Sequence, residues 1–408
     1  MKVLIVAPMT HFVLEEAVRL GNIFEVHLEL PSDLRYRHLF SYIKNLSENI
    51  PPKIHVHIAP YVDLRTFLSF LRFLRFYPSH ALARNPLLVY SEIRRARNSL
   101  NIVRLHNINI IHSHFAYQEG FVGYLSKNSL KRKKLIVTLH GNDILTEPSV
   151  GYGIRLDKRY DIIVKKVLEI ADAIIVASKA VFNEVVKLSN KSVDKIYLIP
   201  NGVDINKFNP NVKASVIRDK LHIEDKFVVF TARHHRPVYG IEFLIKAIPF
   251  VLKERKDVVF VIGGDGPLRS YHDELAFKLG IRDKVVFTGH VPFNEMPLYY
   301  ATSDVVVVPS LQEAWGLIVT EAMACGKPVI GTRVGGIVDQ VIDGFNGFLV
   351  PPRDHEAIAK KILYLLENPS EMKRMGLNGR RLAEERFNIE KRIDKIVKIY
   401  KKLVENKK

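Results

Sequence analysis

The stretch Glu313-Ala-Trp-Gly-Leu-Ile-Val-Thr-Glu321 decides how this chain is interpreted. It follows an apolar run from Val305 to Val308, and this order predicts a strand, a loop and the start of a helix. Unpaired N–H groups near Gly316 and Leu317 would attract a phosphate, because the first turn of a helix has free donors. The glutamates at the two ends of the stretch could accept hydrogen bonds from sugar or ribose hydroxyls. The stretch therefore predicts a site for a nucleotide diphosphate sugar.

Two further turns follow predicted strands in the second half of the chain. In Ile262-Gly-Gly-Asp-Gly-Pro-Leu268, Gly264 and Gly266 would allow a ligand to approach the backbone closely. The spacing of these glycines differs from the G-x-G-x-x-G pattern, which counts against a nicotinamide site. Arg233 ends another strand, and its guanidinium could bind two diphosphate oxygens at once.

Histidines end two predicted strands in the first half. His140 lies in the turn Leu139-His-Gly-Asn-Asp143, where it could hydrogen-bond a donor sugar, and Asp143 could orient His140 or its loop. His112 and His114 lie at the end of another predicted strand. Two histidines without a convergent third ligand are weak evidence for a metal, so lining of the cleft or contact with an acceptor is favoured for this pair.

The paired-glutamate stretch resembles the signature of retaining glycosyltransferases of family 4, which have the GT-B fold. The resemblance extends from Met1-Lys-Val-Leu-Ile-Val6 to the terminal helix and is strongest from Ile196 to Val350. It implies that Glu313 holds the transferred sugar, that Glu321 holds the ribose, and that no metal takes part. The implied catalytic residues are His140, Arg233 and Glu313, and the implied donor-binding residues are Gly264, Gly266, Trp315, Gly316, Leu317 and Glu321.

The chain departs from the family pattern in two places. The family usually has a lysine six residues after the diphosphate arginine, and Tyr239 stands there instead. Arg236 or His234 could supply the missing charge. The first loop, 7–11, lacks the paired glycines of many members. An Asp-x-Asp pair is absent from the sequence, which argues against the metal-dependent type of glycosyltransferase.

Alternating apolar and helical segments predict an α/β protein with two Rossmann-like domains in series, facing a central cleft. The turn-rich segment Pro200–Pro210 marks the junction. We expect an acceptor-side domain over 1–200 and a donor-side domain over 201–385. The family resemblance implies that a helix over 386–408 crosses back to the first domain. The predicted strands are Val3–Ala7, Phe24–Leu28, His55–Ile58, Ile110–His112, Lys134–Thr138, Ala173–Val176, Lys195–Ile199, Phe227–Thr231, Val258–Ile262, Lys284–Phe287, Asp304–Val308, Val329–Thr332 and Gly347–Val350.

The composition is that of a globular protein with a strong positive charge. The 408 residues include one cysteine, and the net charge is +18. Neither a signal pattern nor an apolar run long enough for a bilayer is found, so a cytoplasmic location is expected. The aromatic and basic stretch Phe67–Tyr77 is consistent either with a helix that lies on an anionic membrane or with one that packs inside the protein.

These observations predict a metal-independent hexosyltransferase that moves a sugar, with retention, to a lipid-linked or polysaccharide acceptor. The nucleotide sugar would be a co-substrate, and no other cofactor and no nucleic acid is expected. Contact with the inner face of a membrane would explain part of the positive charge. The alternatives are a sugar-nucleotide epimerase of the same fold and a non-enzymatic protein that binds anionic membranes.

Overall fold

The computed structural model describes residues 1–8, 10–30, 51–58, 86–130, 133–213 and 215–405. The predicted Phe67–Tyr77 helix lies outside these ranges. Within them, no helix combines the length and the hydrophobicity that crossing a bilayer requires.

The first half of the chain forms a sheet of seven parallel strands in the order β3-β2-β1-β4-β5-β6-β7. Three of its inner strands contain continuous apolar runs, at 3–6, 135–137 and 173–176, as expected where helices cover both faces of a parallel sheet. The central strand differs, because it reads Ile110-Ile-His-Ser-His114. The strands are β1 (Lys2–Val6), β2 (Glu25–Leu30), β3 (Ile54–Ile58), β4 (Ile110–His114), β5 (Lys134–Thr138), β6 (Ala173–Val176) and β7 (Ile196–Leu198). The described helices of this half are α1 (His11–Gly21), α2 (Pro86–Leu105), α3 (Glu119–Ser129), α4 (Lys158–Ile170) and α5 (Lys179–Leu188).

The second half forms a sheet of six parallel strands in the order β10-β9-β8-β11-β12-β13. These strands are β8 (Phe227–Ala232), β9 (Val258–Gly263), β10 (Val285–Gly289), β11 (Val305–Val308), β12 (Val329–Thr332) and β13 (Gly347–Val350). The accompanying helices are α6 (Ser215–Leu221), α7 (Ile241–Glu254), α8 (Arg269–Lys278), α9 (Met296–Thr302), α10 (Leu317–Ala324), α11 (Ile337–Gln340), α12 (His355–Glu367) and α13 (Pro369–Arg386). In both sheets the strand order reverses direction beside the first strand, and open α/β sheets bind ligands at such points.

The last helix, α14 (Ile389–Glu405), returns to the first sheet. Its apolar side joins the core around Val3 and Ile5. Two polar contacts fix its position. The Nε of Arg392 donates to Oε2 of Glu16 at 2.8 Å, and the hydroxyl of Tyr400 lies 2.6 Å from Nδ1 of His112.

The prediction of two Rossmann-like units is confirmed. All thirteen predicted strands are present, four of them with the predicted bounds and the others with ends that differ by at most two residues. One of these differences matters for the site, because β4 continues past His112 to His114. Both histidines therefore lie inside the sheet and not in the loop that follows it. The exact domain boundaries stay predictions.

Candidate active site

The loops that follow β8, β9 and β11 meet at the carboxyl edge of the second sheet. The N–H of Arg233 donates to the carbonyl of Gly263 at 3.0 Å, so the first two loops are joined through their backbones. Gly264 has a φ of 109°, and a Cβ atom there would lie 1.9 Å from the carbonyl oxygen of Arg233. Gly266 is similarly confined, with a Cβ position 2.5 Å from Nδ1 of His234. The predicted glycine-rich loop therefore lies directly against the arginine, where only glycine fits.

Arg233 and Glu313 form an ion pair through Nη2 and Oε2. The hydroxyl of Ser310 is 3.5 Å from each of these two atoms. On its other side the guanidinium lies over the ring of Tyr239, 4.1 Å from the ring centroid. Burial acts to lower the pKa of Arg233, but the charge of Glu313, its hydrogen bond and the nearby Tyr239 together outweigh burial, so the pKa is raised. Two predicted catalytic residues thus lie in contact, with the tyrosine that replaces the family lysine beside them.

The loop that presents Glu313 is fixed by backbone contacts with the turn after β12. The N–H of Gly336 donates to the carbonyl of Glu313 at 2.9 Å. A Cβ atom on Gly335, which has a φ of 46°, would lie 1.7 Å from that same carbonyl oxygen. The side-chain amide of Gln340 donates to the carbonyl of Trp315. Gln340 could not be predicted from the sequence, since a lone glutamine gives no signal before its partner is known.

Gly316 forms the entry to α10. Its φ of 87° is left-handed, and a Cβ atom there would lie 3.2 Å from Cγ of Glu313. The N–H of Val319 donates to the carbonyl of Gly316 at 3.0 Å, which closes the first turn. The N–H groups of Leu317 and Ile318 come before this bond and have no carbonyl partner within the helix. The tip of α10 therefore offers free donors next to Glu313.

The side chain of Trp315 is not in the cleft, which corrects the prediction that it binds the donor. The indole is 3% exposed and meets the ring of Phe387 edge-on at a centroid distance of 5.3 Å. Its N–H is buried and has no partner in the described part of the chain. Apolar packing explains this position, because Trp315 belongs to the core between α10 and the segment before α14.

Glu321 is buried one turn further along α10. Its Oε2 accepts a hydrogen bond of 2.7 Å from the hydroxyl of Tyr300. Burial raises the pKa of Glu321 to about 7, although the bond from Tyr300 and the positive charges of Lys207 and Arg233 act to lower it. The charge of Glu15, on α1 of the first half, adds to the increase. Glu321 therefore changes its charge near neutral pH.

The loop of His140 forms the facing wall. A Cβ atom on Gly141 would lie 2.7 Å from Cβ of Ala314, so this loop lies against the residue that follows Glu313. Nε2 of His140 is 3.1 Å from Nδ1 of His114, and the ring of Phe115 is 4.5 Å away between centroids. Burial holds the pKa of His140 well below its usual value, and the neighbouring charges of His114, Arg392 and His112 add to this. His140 is therefore a neutral imidazole.

Three residues predicted to line the cleft are buried behind it. The carboxylate of Asp143 accepts hydrogen bonds from the N–H groups of His140, Gly141 and Ala116, at 3.1, 2.8 and 2.7 Å. It orients the loop and not the imidazole. Both nitrogens of His112 are engaged, one with Tyr400 and one with Thr138 at 2.7 Å. His112 and His114 are 0% exposed, so neither can contact an acceptor directly.

Arg236 differs from these three, because it is exposed. It lies just before the short turn that carries Tyr239, and its backbone N–H donates to the carbonyl of His234 at 2.7 Å.

Comparison with known proteins gives two family matches that together span most of the chain. Residues 41–207 match the model of Glycosyltransferase Family 4, and residues 213–382 match that of Glycosyl transferases group 1. An uncharacterised glycosyltransferase of Methanocaldococcus jannaschii is 32% identical over 305 residues, covering 74% of this chain and 78% of that protein. The N-acetyl-alpha-D-glucosaminyl L-malate synthase of Bacillus anthracis is 28% identical, covering 76% of this chain and 78% of that protein.

Solved structures show the same fold. Anabaena HepE in complex with UDP-glucose has a TM-score of 0.77 and 20% identity, covering 98% of this chain and all of that one. Sucrose-phosphate synthase from Thermosynechococcus elongatus has a TM-score of 0.76 and 22% identity, covering 98% of each chain. At these identities the likeness concerns the GT-B architecture alone.

Proposed function

The chain belongs to the family 4 glycosyltransferases, and from that premise we propose that it transfers a sugar, with retention of configuration, from a nucleotide diphosphate sugar to a hydroxyl acceptor. The observation that supports this most directly is the contact between Arg233 and Glu313 beside the free N–H groups of α10. The cation and the helix donors in this crevice suit the negatively charged phosphates of such a donor, and the carboxylate suits its hydroxyls.

Arg233 and the tip of α10 would hold the leaving diphosphate. Negative charge accumulates there as the bond to the sugar breaks, and fixed donors in a partly buried site stabilise that charge without reorganising. The ion pair with Glu313 holds the guanidinium in place before the donor arrives. When phosphate oxygens take over Arg233, Glu313 would become free to accept hydrogen bonds from the transferred sugar.

Glu321 and His140 would bind the two ends of the donor. The carboxylate of Glu321 suits the ribose hydroxyls, because it lies on the next turn of the helix whose tip binds phosphate. The neutral imidazole of His140 can exchange a hydrogen bond with a sugar hydroxyl from the opposite wall. We propose a front-face route, in which the leaving phosphate oxygen takes the proton of the acceptor, and we expect no metal to be needed.

The acceptor is proposed to be lipid-linked or part of a polysaccharide. The net charge of +18 supports an anionic acceptor or an anionic membrane surface near it. The names of similar proteins give a precedent for anionic acceptors, since one synthase makes a glucosaminyl derivative of L-malate and others act on D-inositol 3-phosphate.

A panel of nucleotide sugars, screened by thermal shift, tests the proposal. The cognate donor should raise Tm by mass action, and the matching nucleoside diphosphate should do so too. The selected donor is then incubated with acceptor extracts, with and without EDTA. A glycosylated acceptor is the expected product in both cases. Conversion of the donor to its epimer without any acceptor would favour the alternative enzyme, and the absence of both binding and turnover would reject the assignment.

A further inference from the structure

Four histidines and a glutamate cluster at the edge of the first sheet, outside the residues assigned to the cleft. His27 on β2 is directly opposite His55 on β3, and His57 follows two residues later on the same face. His106 comes just after the end of α2 and its ring centroid is 4.2 Å from that of His27. The chain thus brings imidazoles from two strands and one helix end to one place.

The nitrogen atoms in this cluster are close enough to share one ion. A ring nitrogen from each of His27, His57 and His106 lies within 4.8 Å of the other two. Nδ1 of His27 is 2.9 Å from Nε2 of His57. Since Zn–N bonds are about 2.0–2.1 Å long, nitrogens around one ion lie about 3–3.5 Å apart. The separation of His27 and His57 is already close to this spacing.

We propose that His27, His57 and His106 bind one divalent transition-metal ion. Imidazole ligands select ions such as Zn²⁺, Ni²⁺ and Cu²⁺ over Mg²⁺ and Ca²⁺, which prefer oxygen. Water, or the exposed side chain of His55 on the same face of β3, would complete the coordination.

The position of Glu25 supports this assignment. Its Oε1 lies 3.1 Å from Nε2 of His27 and also accepts a bond of 2.9 Å from Nζ of Lys2. A carboxylate at Nε2 keeps the proton on that nitrogen and leaves the lone pair of Nδ1 facing His57. Metal-binding histidines commonly have such a carboxylate partner, which fixes the ring and its tautomer.

A second group, made of Glu16, His112 and His114, has comparable spacing but is not free to bind a metal. Both nitrogens of His112 already have hydrogen-bond partners. The guanidinium of Arg392 occupies Oε2 of Glu16 and places a positive charge where the ion would be. Both nitrogens of His27 also have partners, but the partner of Nδ1 is His57, which is itself a proposed ligand, and the partner of Nε2 is the carboxylate of Glu25. Glu25 also adds a negative charge beside the cluster.

The bound ion would cross-link β2, edge strand β3 and the end of α2. Its role would be to stabilise the first sheet, and it would take no part in sugar transfer. The proposal does not depend on the proposed function, and it can fail or hold independently of it.

Titration of tag-free protein with Co²⁺ and Zn²⁺ tests the site. We expect about one ion per chain, with visible d–d absorption for Co²⁺, and a higher Tm with Zn²⁺. His57→Gln and His106→Gln should each weaken binding by at least about tenfold and abolish the Tm increase. His222→Gln is the matched control, since His222 is exposed and belongs to neither histidine group.

Two results would overturn the proposal. One is a wild-type protein that takes up no ion at stoichiometric concentration, which needs no variant to interpret. The other is unchanged binding in both variants. Circular dichroism checks that each variant is folded. If His57→Gln does not fold, the result for His106→Gln decides the question, because His106 lies outside the strands. Removal of the metal should leave glycosyl transfer intact in the assay that tests the proposed function.

Discussion

Arg233 and Glu313 form an ion pair in the crevice at the carboxyl edge of the second sheet. Their side chains are 10% and 13% exposed, so the pair lies at the floor of the crevice and not on an open surface. An arginine alone in such a place would be costly to bury and free to move. The pairing holds the guanidinium still at the position where the phosphates are expected. A diphosphate bound at the proposed position would take over hydrogen bonds that Arg233 gives to Glu313.

Replacing Arg233 with alanine should reduce kcat by about 10²–10³-fold, the usual cost of removing one fixed donor to a developing negative charge. Initial rates with the cognate donor measure this. Arg381→Ala is the matched control, because Arg381 is an exposed arginine paired with Glu385 on α13. If Arg233→Ala kept the wild-type kcat while remaining folded, the diphosphate would have to be held elsewhere.

Tyr239 should support Arg233 through its ring and not through its hydroxyl. The guanidinium lies 4.1 Å from the ring centroid, and a cation–π contact of this kind contributes about 0.5–2 kcal/mol. Tyr239→Ala should therefore weaken donor binding by roughly 2- to 30-fold by calorimetry. Tyr239→Phe keeps the ring and should bind the donor nearly as well as the wild type. Equal losses in both variants would indicate that the hydroxyl is the functional group.

The sequence predicted the sheets well because of the way parallel sheets are buried. A strand covered on both faces is a short continuous apolar run, as in Val305–Val308, and such runs are visible without any knowledge of their partners. Arg233, Gly264 and Glu313 were also predicted correctly to come together. Each ends or follows a strand, and the carboxyl ends of neighbouring parallel strands share one edge.

Other parts of the site could not be predicted because they depend on distant partners. His112 contacts Tyr400, which is 288 residues away, so its role as an anchor for α14 was invisible in the local pattern. Trp315 lies within the predicted binding stretch, yet its ring packs on Phe387, which is 72 residues further along the chain, in the apolar core. A motif indicates where the chain meets a ligand, but it does not indicate which of its side chains point there.

Donor binding should depend on pH through Glu321. Burial raises its pKa to about 7, so the carboxylate gains a proton as the pH falls through neutrality. The protonated group is a weaker acceptor of hydrogen bonds from the ribose hydroxyls. We expect affinity for the nucleotide sugar to fall by about tenfold between about pH 8 and pH 5.5, the worth of a hydrogen bond to a charged group. Calorimetry with the nucleotide sugar measures this, because its phosphates carry no proton that titrates near pH 7.

Two variants identify the group responsible for this pH dependence. Glu321→Gln should bind the nucleotide sugar more weakly than the wild type at high pH, and its affinity should not change with pH. Tyr300→Phe removes the hydroxyl that donates to Oε2 of Glu321, and this bond lowers the pKa of the carboxyl. Its midpoint should therefore shift to higher pH. A profile that keeps its shape in Glu321→Gln would assign the titration to another group.

Asp143→Asn should destabilise the loop of His140. The carboxylate accepts from three backbone N–H groups, whereas the amide of asparagine would direct its own N–H₂ toward at least one of them. A buried donor left without an acceptor costs about 1–3 kcal/mol, which urea unfolding would detect. Asp273→Asn, at a more exposed carboxylate on α8, should cause little change. Full stability of Asp143→Asn would show that the three contacts contribute little.

Arg392→Ala should loosen α14 from the first sheet. Arg392 and Glu16 are each 4% exposed, and their ion pair is accompanied by bonds from Arg392 to the carbonyls of Ile199 and Pro200 at 2.9 and 3.2 Å. Removing one partner leaves a buried charge alone, which costs about 3–5 kcal/mol, so the free energy of unfolding in urea should drop by that order.

Replacing both partners of this pair separates the contribution of the ion pair to stability from that of side-chain packing. Arg392→Met together with Glu16→Leu leaves no unpaired charge and should recover most of the lost stability, because apolar groups of similar size often replace a buried pair without loss. Lys401→Ala, on the exposed side of the same helix, should leave stability unchanged. If the double variant were as unstable as Arg392→Ala, the bonds to Ile199 and Pro200, and not the charge of Glu16, would be what holds α14 in place.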